Sequence, residues 1–269
     1  MRDQSRIDDD RVVLLASARR LAPPPDGPSP SGLRLRAGGS GQNPPFSFPD
    51  PATNGPRGIA VDLLNAVAAE LGMAIDNGRP QPQRVLDDAL AGGEIDILAD
   101  AAPLAVAGDG GCQATHPWFA GAGDSVWVRE DDSASRGSIA DFRGRAVGAL
   151  AGSSLAPALF EKHSADVEVR TYRDPDRLAR AVRDREVAGG VVEAVSAAYA
   201  LFQRRHPGLV IPRSYAATLN LGELHGFRVA PSAVGRLPDI NAALARLMVA
   251  GVVTGIFAAY GLVWPRAEV

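Results

Sequence analysis

Apolar residues recur along the chain in two spacings, one typical of amphipathic helices and one typical of short buried strands. The segment GIAVDLLNAVAAELGM, residues 58–73, places its apolar residues on one helical face and reaches a glycine at Gly72, as helices commonly do at their ends. The preceding segment LRLRAGG, residues 33–39, alternates apolar and polar residues and stops on glycines. These patterns predict a strand followed by a helix.

The same order of strand and helix continues to the end of the chain. In DPDRLARAVRDREV, Asp174 is predicted to cap a helix that has Pro175 at its first position. The last helical region is interrupted at Gly251. Further strands are predicted in EIDILAD, SVWVRED, RAVGAL, VEVRTY, GGVVE and LHGFRVAP. Strands alternating with helices of this length indicate an α/β fold.

The alternation forms two similar units joined by strand-like crossovers. We expect two lobes with a cleft between them, which is a common place for a small-molecule site. No repeat of solenoid length is present in the sequence.

Composition and charge narrow the function classes. The chain has 269 residues, of which 46% are hydrophobic and 22% charged, as in ordinary globular proteins. A net charge of −3 gives no reason to expect nucleic acid as a partner. Cys112 is the only cysteine, which excludes an intrachain disulfide and a thiol-rich metal site.

The first 31 residues differ in composition from the rest. Leu21–Gly32 is rich in proline, glycine and serine, so residues 1–31 are predicted to be a leader or disordered arm. The apolar run within Arg11–Leu21 is five residues long and follows an acidic stretch, so it does not predict a signal peptide.

Catalytic and metal motifs are weak in this sequence. The four histidines are scattered, so no metal site is predicted. The GSSLA segment that contains Ser154 lacks the G-x-S-x-G pattern, so we predict no catalytic residues and no cofactor.

Seven blocks in order resemble the bacterial family 3 solute-binding proteins, the receptors of polar amino-acid ABC transporters. The blocks are PPFSFPD, GIAVDLLNAVAAELG, GGEIDILAD, HPWF, DFRGRAVGALAGSS, the end of GGVVE and the terminal DINAALARLMVAGVVTGIFAAYGL. The resemblance covers about residues 33 to 262. It implies a two-lobed type II periplasmic-binding-protein fold, in which each lobe is a mostly parallel sheet flanked by helices.

The resemblance also implies the domain boundaries. Lobe 1 is expected to comprise residues 32–128 plus 226–269, and lobe 2 residues 129–225, with two hinge strands. It further implies a small polar ligand, an ABC permease or another membrane or periplasmic partner, a monomer, and a periplasmic or other extracytoplasmic location.

The ligand-binding residues implied by the resemblance fall on both lobes. Asn43 and Gln83 occupy positions where relatives use aromatic side chains to sandwich the ligand, and they offer hydrogen bonds instead. Asp100 is expected at a strand end that points to the cleft. The full set is Asn43, Phe46, Gln83, Asp100, Ala101, Pro103, Leu150, Gly152, Ser153, Ser154 and Glu193.

One departure from the family pattern bears on the ligand. Relatives carry small hydroxylated residues and then an arginine that binds the ligand carboxylate; this chain has Ala101, Pro103, Ala105 and then Gly108. A bidentate arginine–carboxylate contact is among the strongest that a cleft can use. We therefore expect a ligand other than a standard α-amino acid.

Lobe 2 keeps more of the expected chemistry. Gly152–Ser154 lies between a strand and a helix, where backbone N–H groups attract an anionic or carbonyl group; plain N-capping explains the serines equally well. Glu193 ends a strand where relatives place an acid that pairs with a ligand ammonium, and a solvated glutamate is the simpler alternative. Asp100 and Glu193 without the arginine suggest a cation or a polyol as ligand.

Three functions follow from this reading. The first is a solute-binding receptor that closes around its ligand by hinge motion, for uptake or sensing. The second is a receptor-derived accessory or interaction protein with a degenerate cleft, for example beside a periplasmic dehydrogenase. The third is an enzyme like the cyclohexadienyl dehydratases, with Glu193 as general acid.

Overall fold

The structure is a computed structural model that describes residues 33–104, 109–151, 153–203, 205–219 and 221–264. The predicted arm of residues 1–31 lies outside the described residues, as do Ala105, Gly108 and Gly152.

The predicted strands and helices occur in the predicted order, and the described residues add six short strands that the sequence did not predict. The strands are β1 (Arg34–Gly38), β2 (Phe48–Pro49), β3 (Pro56–Arg57), β4 (Ala74–Asn77), β5 (Ile97–Pro103), β6 (Gln113–Ala114), β7 (Phe119–Ala122), β8 (Asp124–Arg129), β9 (Ala146–Leu150), β10 (Glu168–Tyr172), β11 (Gly189–Glu193), β12 (Leu209–Val210) and β13 (Leu221–Val229). The helices are α1 (Ile59–Glu70), α2 (Gln83–Ala91), α3 (Leu155–His163), α4 (Pro175–Arg183), α5 (Ala194–Phe202), α6 (Leu237–Val249) and α7 (Val252–Ala259).

The chain divides into two compact units. The described part of the first comprises residues 33–119 and 225–264, and that of the second comprises residues 120–224. The chain passes from one unit to the other within β7 and again within β13.

The first unit is built on a sheet in the order β4-β1-β5-β13-β6, with β7 also paired to β13. Strand β1 runs parallel to β4 and β5, whereas β13 runs antiparallel to β5 and β6. Helix α1 buries Val61, Leu64 and Val67, which confirms its predicted apolar face. The sheet thus places the carboxyl ends of β1 and β5 at one edge.

The C-terminal helices of the first unit break where the sequence predicts. Gly251 has φ 76° and lies between α6 and α7, and glycine adopts this left-handed conformation at less cost than residues with a Cβ. No single helix among the described residues is long and apolar enough to cross a bilayer; Pro231–Val249 together with Val252–Ala259 would be, but the two segments are bent by 72°.

The second unit is built on a sheet in the order β10-β9-β11-β8-β12. Strand β9 lies parallel to β10 and β11, and β8 lies antiparallel to β11 and β12. Asp174 caps α4 by accepting a hydrogen bond from the Arg177 N–H, and Pro175 opens that helix, as predicted.

Strand β8 corrects one part of the predicted boundaries. The expected lobe 1 extended to residue 128 and so included most of β8. In the structure β8 pairs with β11 and β12, because its buried residues, such as Val126 and Val128, pack in the core of the second unit.

Candidate ligand-binding site

A hydrogen-bonded cluster around Asp100 dominates the candidate residues of the first unit. The Ser40 hydroxyl donates to Asp100 Oδ2 at 2.7 Å, and Asn43 Nδ2 donates to Oδ1 at 2.7 Å. The Ala101 N–H also donates to Oδ1, at 2.8 Å. The Asp100 side chain is buried with the residue only 6% exposed, and these three donors are neutral.

Burial controls the ionisation of Asp100. Removal of the carboxyl group from water raises its pKa to about 6, although the hydrogen bonds from Ser40, Asn43 and Ala101 oppose the shift. At neutral pH the group is therefore mostly an anion held by neutral donors. Such a buried charge is costly, and a positive group placed beside it would lower that cost.

Asp100 was expected at the end of a strand, but it lies within β5. Pairing with β13 continues past it, because Gly226 lies opposite Ala102 and His225 opposite Pro103. Ala101 and Pro103 are both half-buried.

The loop after β1 brings Asn43 to Asp100. The Asn43 carbonyl accepts hydrogen bonds from the N–H groups of Phe46 and Ser47, so the loop folds back on itself and directs the amide towards β5. Sequence reasoning missed Ser40. Its signal was its position: it is a polar residue directly after the glycines that end β1, the parallel neighbour of β5.

The ring of Phe46, which was predicted to contact the ligand, is buried among other aromatic rings. Its ring centroid lies 5.0 Å from that of Phe119 and 6.2 Å from that of Trp118, and the residue is 3% exposed. It packs in the core of the first unit because these three rings together cover one another from water.

Gln83 is the first residue of α2 and is exposed. Its Nε2 donates to Asp87 Oδ1 at 3.0 Å, one helical turn along. The hydrogen bonds described for Gln83 and for the Asp100 cluster thus involve different residues.

In the second unit, a serine side chain in the turn between β9 and α3 forms a hydrogen bond with the backbone of β9. The Ser153 hydroxyl donates to the Leu150 carbonyl at 2.8 Å, which joins two of the predicted residues. Ser154 occupies the N-cap of α3 but makes no capping hydrogen bond through its side chain. The Ser153 hydroxyl bonds to the end of β9 and not to α3, so neither serine caps this helix through its side chain.

Glu193 caps α5. Its carboxylate accepts hydrogen bonds from the N–H groups of Val195 at 3.1 Å and Ser196 at 2.8 Å. Burial raises the pKa of the Glu193 carboxyl, and the two backbone N–H groups oppose that shift. The carboxylate is therefore fixed at the helix N-terminus, where the helix dipole favours a negative charge.

A second acid accompanies Glu193. Asp124 lies opposite Glu193 in the β8–β11 ladder and is buried. It accepts hydrogen bonds from the N–H groups of Thr218 and Leu219, at 2.6 and 2.7 Å, and from the Tyr215 hydroxyl. Sequence reasoning also missed Asp124, whose signal was an acidic residue directly before a run of buried strand residues.

A pocket of about 540 Å³ in the second unit contains none of the candidate residues; it is lined by Arg129, Glu130, Asp131, Arg183 and Gly208. Within the described ranges, His, Cys, Asp and Glu side chains form no group of three or more that could hold a metal ion.

The sequence from residue 35 to residue 262 matches the profile of the bacterial extracellular solute-binding proteins, family 3. The chain belongs to this family. The family assignment confirms the resemblance carried by the seven sequence blocks. Among curated proteins, none matches the chain significantly.

Solved structures of similar fold include several amino-acid-binding proteins and substrate-binding domains. Substrate-binding domain 2 of Lactococcus lactis GlnP, in an open conformation, is 19% identical, with 87% of this chain and 98% of that chain covered and a TM-score of 0.70. An ancestral arginine-binding protein bound to arginine is 24% identical, with coverages of 84% and 97% and a TM-score of 0.66.

A third similar structure is an ancestral amino-acid-binding protein described as a precursor of cyclohexadienyl dehydratase. It is 20% identical, with 84% of this chain and 95% of that chain covered and a TM-score of 0.66. At these identities the likeness shows the fold alone, the two-lobed α/β fold of the family 3 solute-binding proteins.

Proposed function

We propose that this family 3 protein is a solute-binding receptor whose ligand is a small amine or polyol and not a standard α-amino acid. The Asp100 cluster carries the proposal, since it presents a buried carboxylate held by Ser40 and Asn43. Uptake through an ABC permease, or sensing, outside the cytoplasmic membrane is the role that family membership supports.

The lack of basic residues in the segment after Asp100 argues against an α-carboxylate ligand. The segment from Ala101 to Gly111 contains no arginine or lysine, and Gly108 stands at the family's arginine position. A ligand carboxylate placed near β5 would find the Asp100 anion instead of a guanidinium. Like charges at short range repel, and neither would gain a bidentate contact.

Amines and polyols suit the same group. An ammonium supplies both positive charge and N–H donors to a carboxylate whose donors among the described residues are neutral. A hydroxyl donates to the lone pairs that Ser40, Asn43 and Ala101 leave unused, because an ionised carboxylate has about four acceptor positions. In the second unit, Glu193 offers a further carboxylate under the same proposal.

The test is a thermal-shift and calorimetry screen with putrescine, choline, glycerol, glucose and glutamate. We expect stabilisation by amines or polyols, and about tenfold or greater loss of that affinity in Asp100→Asn. Asp88→Asn, an exposed aspartate on α2, serves as the control. Stabilisation by glutamate alone would contradict the proposal. For an amine, affinity should rise with pH through about 6, as Asp100 ionises.

An accessory protein with a degenerate site is the second candidate. One observation favours it: the side chains of Asn43, Asp100, Ser153 and Glu193 all form hydrogen bonds within their own unit. A stable protein partner in a pull-down from the native host, with no thermal shift from any small molecule, would support this function instead.

The dehydratase alternative rests on Glu193 as a general acid. Burial raises the pKa of the Glu193 carboxyl, which suits a general acid, whereas its two backbone N–H bonds oppose that shift and hold the group at the start of α5. Turnover of prephenate by the wild type, abolished in Glu193→Gln, would establish the enzyme and overturn the receptor proposal.

A further inference from the structure

Two asparagine–glycine pairs occur in the sequence, Asn54–Gly55 and Asn77–Gly78. In such a pair the backbone nitrogen of the glycine can attack the side-chain amide of the asparagine, because glycine has no Cβ to hinder the approach and its backbone rotates freely. The structure places the two pairs in different surroundings. The first lies in the turn between β2 and β3, and the second lies at the end of β4.

The turn that contains Asn54 leaves its side chain in water and its backbone lightly held. Asn54 is exposed and has φ 55°, in the left-handed region that residues other than glycine occupy at some cost. Among the described residues, none hydrogen-bonds to its side-chain amide. Within the same ranges, the peptide group that joins Asn54 to Gly55 has one hydrogen bond, from the Gly55 N–H to the Thr53 hydroxyl at 3.2 Å. Rotation of this peptide towards the side chain therefore breaks few contacts.

The pair at the end of β4 is held on both sides of the reacting atoms. The Gly78 N–H donates to the Ala37 carbonyl at 2.9 Å, and Asn77 lies opposite Ala37 in the β1–β4 ladder. Asn77 Nδ2 donates to Asn65 Oδ1 at 2.9 Å. The Oδ1 atom of Asn77 is buried, and no donor in the described part of the chain reaches it. Attack on this amide would place negative charge on an oxygen that nothing stabilises.

We propose that Asn54 is a site of spontaneous deamidation and isoaspartate formation in the folded protein, and that the fold protects Asn77. The Gly55 nitrogen loses its proton and forms a bond to Asn54 Cγ. The Cγ–Nδ2 bond breaks, and ammonia leaves with that proton, which gives a cyclic succinimide. Water then adds to either carbonyl carbon and opens the ring at the nitrogen, which regains a proton. One opening gives aspartate at this position, and the other gives isoaspartate.

Both products change the charge of the turn, and isoaspartate also changes its length. A carboxylate replaces a neutral amide, so the chain becomes one unit more negative than the −3 of the unmodified protein. Isoaspartate carries the main chain through the side chain and adds one carbon atom before Gly55. The Asp50 N–H donates to the Gly55 carbonyl across this turn at 2.8 Å, and the longer path strains that closure. The modification does not depend on the proposed receptor function, because the turn lies outside the Asp100 cluster.

Peptide mapping of the full chain, aged at mildly alkaline pH, tests the proposal. Mass spectrometry and labelling with an isoaspartate methyltransferase measure the modified fraction at each asparagine over time. In the folded protein we expect Asn54 to react about tenfold or more faster than Asn77, because Asn77 must first lose the two hydrogen bonds that hold it. In a parallel sample unfolded in guanidinium chloride, both asparagines precede a free glycine and should react at similar rates.

Gly55→Ala tests the attacking group. A Cβ there would lie 3.3 Å from the Thr53 hydroxyl oxygen, which a small rotation of that side chain relieves, so we expect the variant to fold. The added methyl group hinders the nitrogen and restricts the backbone, so deamidation of Asn54 should slow by about tenfold or more. Gly235→Ala, where a Cβ meets nothing within 4 Å, is the matched control and should keep the wild-type rate. Circular dichroism melts confirm that both variants are folded.

Three results would overturn the proposal. The first is an Asn54 amide that stays intact in the folded protein while it reacts in guanidinium chloride. The second is an equal rate at Asn54 and Asn77 in the folded protein, since the sequence motif and not the fold would then set the reaction. The third is an unchanged rate at Asn54 in Gly55→Ala.

Discussion

Asp124 and Glu193 lie opposite each other in the antiparallel β8–β11 ladder, and backbone N–H groups bind both carboxylates. Asp124 hydrogen-bonds to the segment that contains Thr218 and Leu219, and Glu193 hydrogen-bonds to the start of α5. Two acids in neighbouring positions thus organise two different backbone segments of the second unit, and neither needs a cation to do so.

Loss of the Asp124 carboxylate should destabilise the second unit. Asp124→Ala removes the acceptor for two backbone N–H groups and the Tyr215 hydroxyl, and unsatisfied buried donors cost about 1–3 kcal/mol each before relaxation. We expect a fall of about 3 kcal/mol in the free energy of unfolding, measured by urea denaturation. The exposed Glu161→Ala on α3 is the control and should change it by less than about 0.5 kcal/mol.

Asp100 should make the protein less stable as the pH rises. Its pKa is about 6 in the folded state against an ordinary 3.8, so between these values the folded protein holds a proton that the unfolded chain has lost. Its stabilising contribution is complete below the unfolded pKa and disappears as the pH rises through about 6. In total it amounts to roughly 3 kcal/mol.

Asp100→Asn removes this titration and keeps a similar shape. Urea denaturation at a series of pH values should show a flatter dependence in Asp100→Asn than in the wild type between roughly pH 4 and 6. The control Asp88→Asn should keep the wild-type slope. Parallel curves for the wild type and Asp100→Asn would show that burial does not perturb Asp100.

Alanine substitutions at Phe46 and Gln83 should differ in their effect on the free energy of unfolding, because Phe46 is buried and Gln83 is exposed. Phe46→Ala removes a ring packed against Phe119 and Trp118 and should cost about 3–5 kcal/mol of unfolding free energy. Gln83→Ala, at an exposed helix start, should change it by less than about 0.5 kcal/mol. A nearly neutral Phe46→Ala would return this ring to the ligand-facing set.

Gly58 should not tolerate a side chain. Its φ is 137°, and a Cβ there would lie 2.2 Å from the Phe46 carbonyl oxygen. Gly58→Ala therefore combines backbone strain with a backbone clash and should lower the free energy of unfolding by about 3 kcal/mol or more. Gly235→Ala, where a Cβ meets nothing within 4 Å, is the matched control and should keep the wild-type midpoint.

The features of the fold that could be predicted from the sequence depend on residues close together in the chain. The Asp174 cap with Pro175, the break at Gly251 and the buried face of α1 each depend on residues within one or two turns. The predicted boundary at β8 was wrong because it depended on distant residues. The strand could have belonged to either unit, and its partners β11 and β12 lie far along the chain.

The candidate site was predicted in part. Asp100 and Asn43 were both identified, but their mutual hydrogen bond joins residues 57 positions apart, and Ser40 joins from 60 positions away. Sequence spacing does not show such pairings. The sequence also does not reveal which way the Phe46 ring turns, because the rings of Trp118 and Phe119 that pack against it lie far along the chain.

The position of β13 between β5 and β6 has a consequence for synthesis of the protein. The second unit is formed from the continuous stretch 120–224, whereas the first sheet lacks a central strand until β13 has left the ribosome. We expect the middle of the chain to fold first during translation, while β1, β4 and β5 wait with an open edge. In that interval the unpaired edge of β5 makes the N-terminal part of the protein the part most exposed to aggregation.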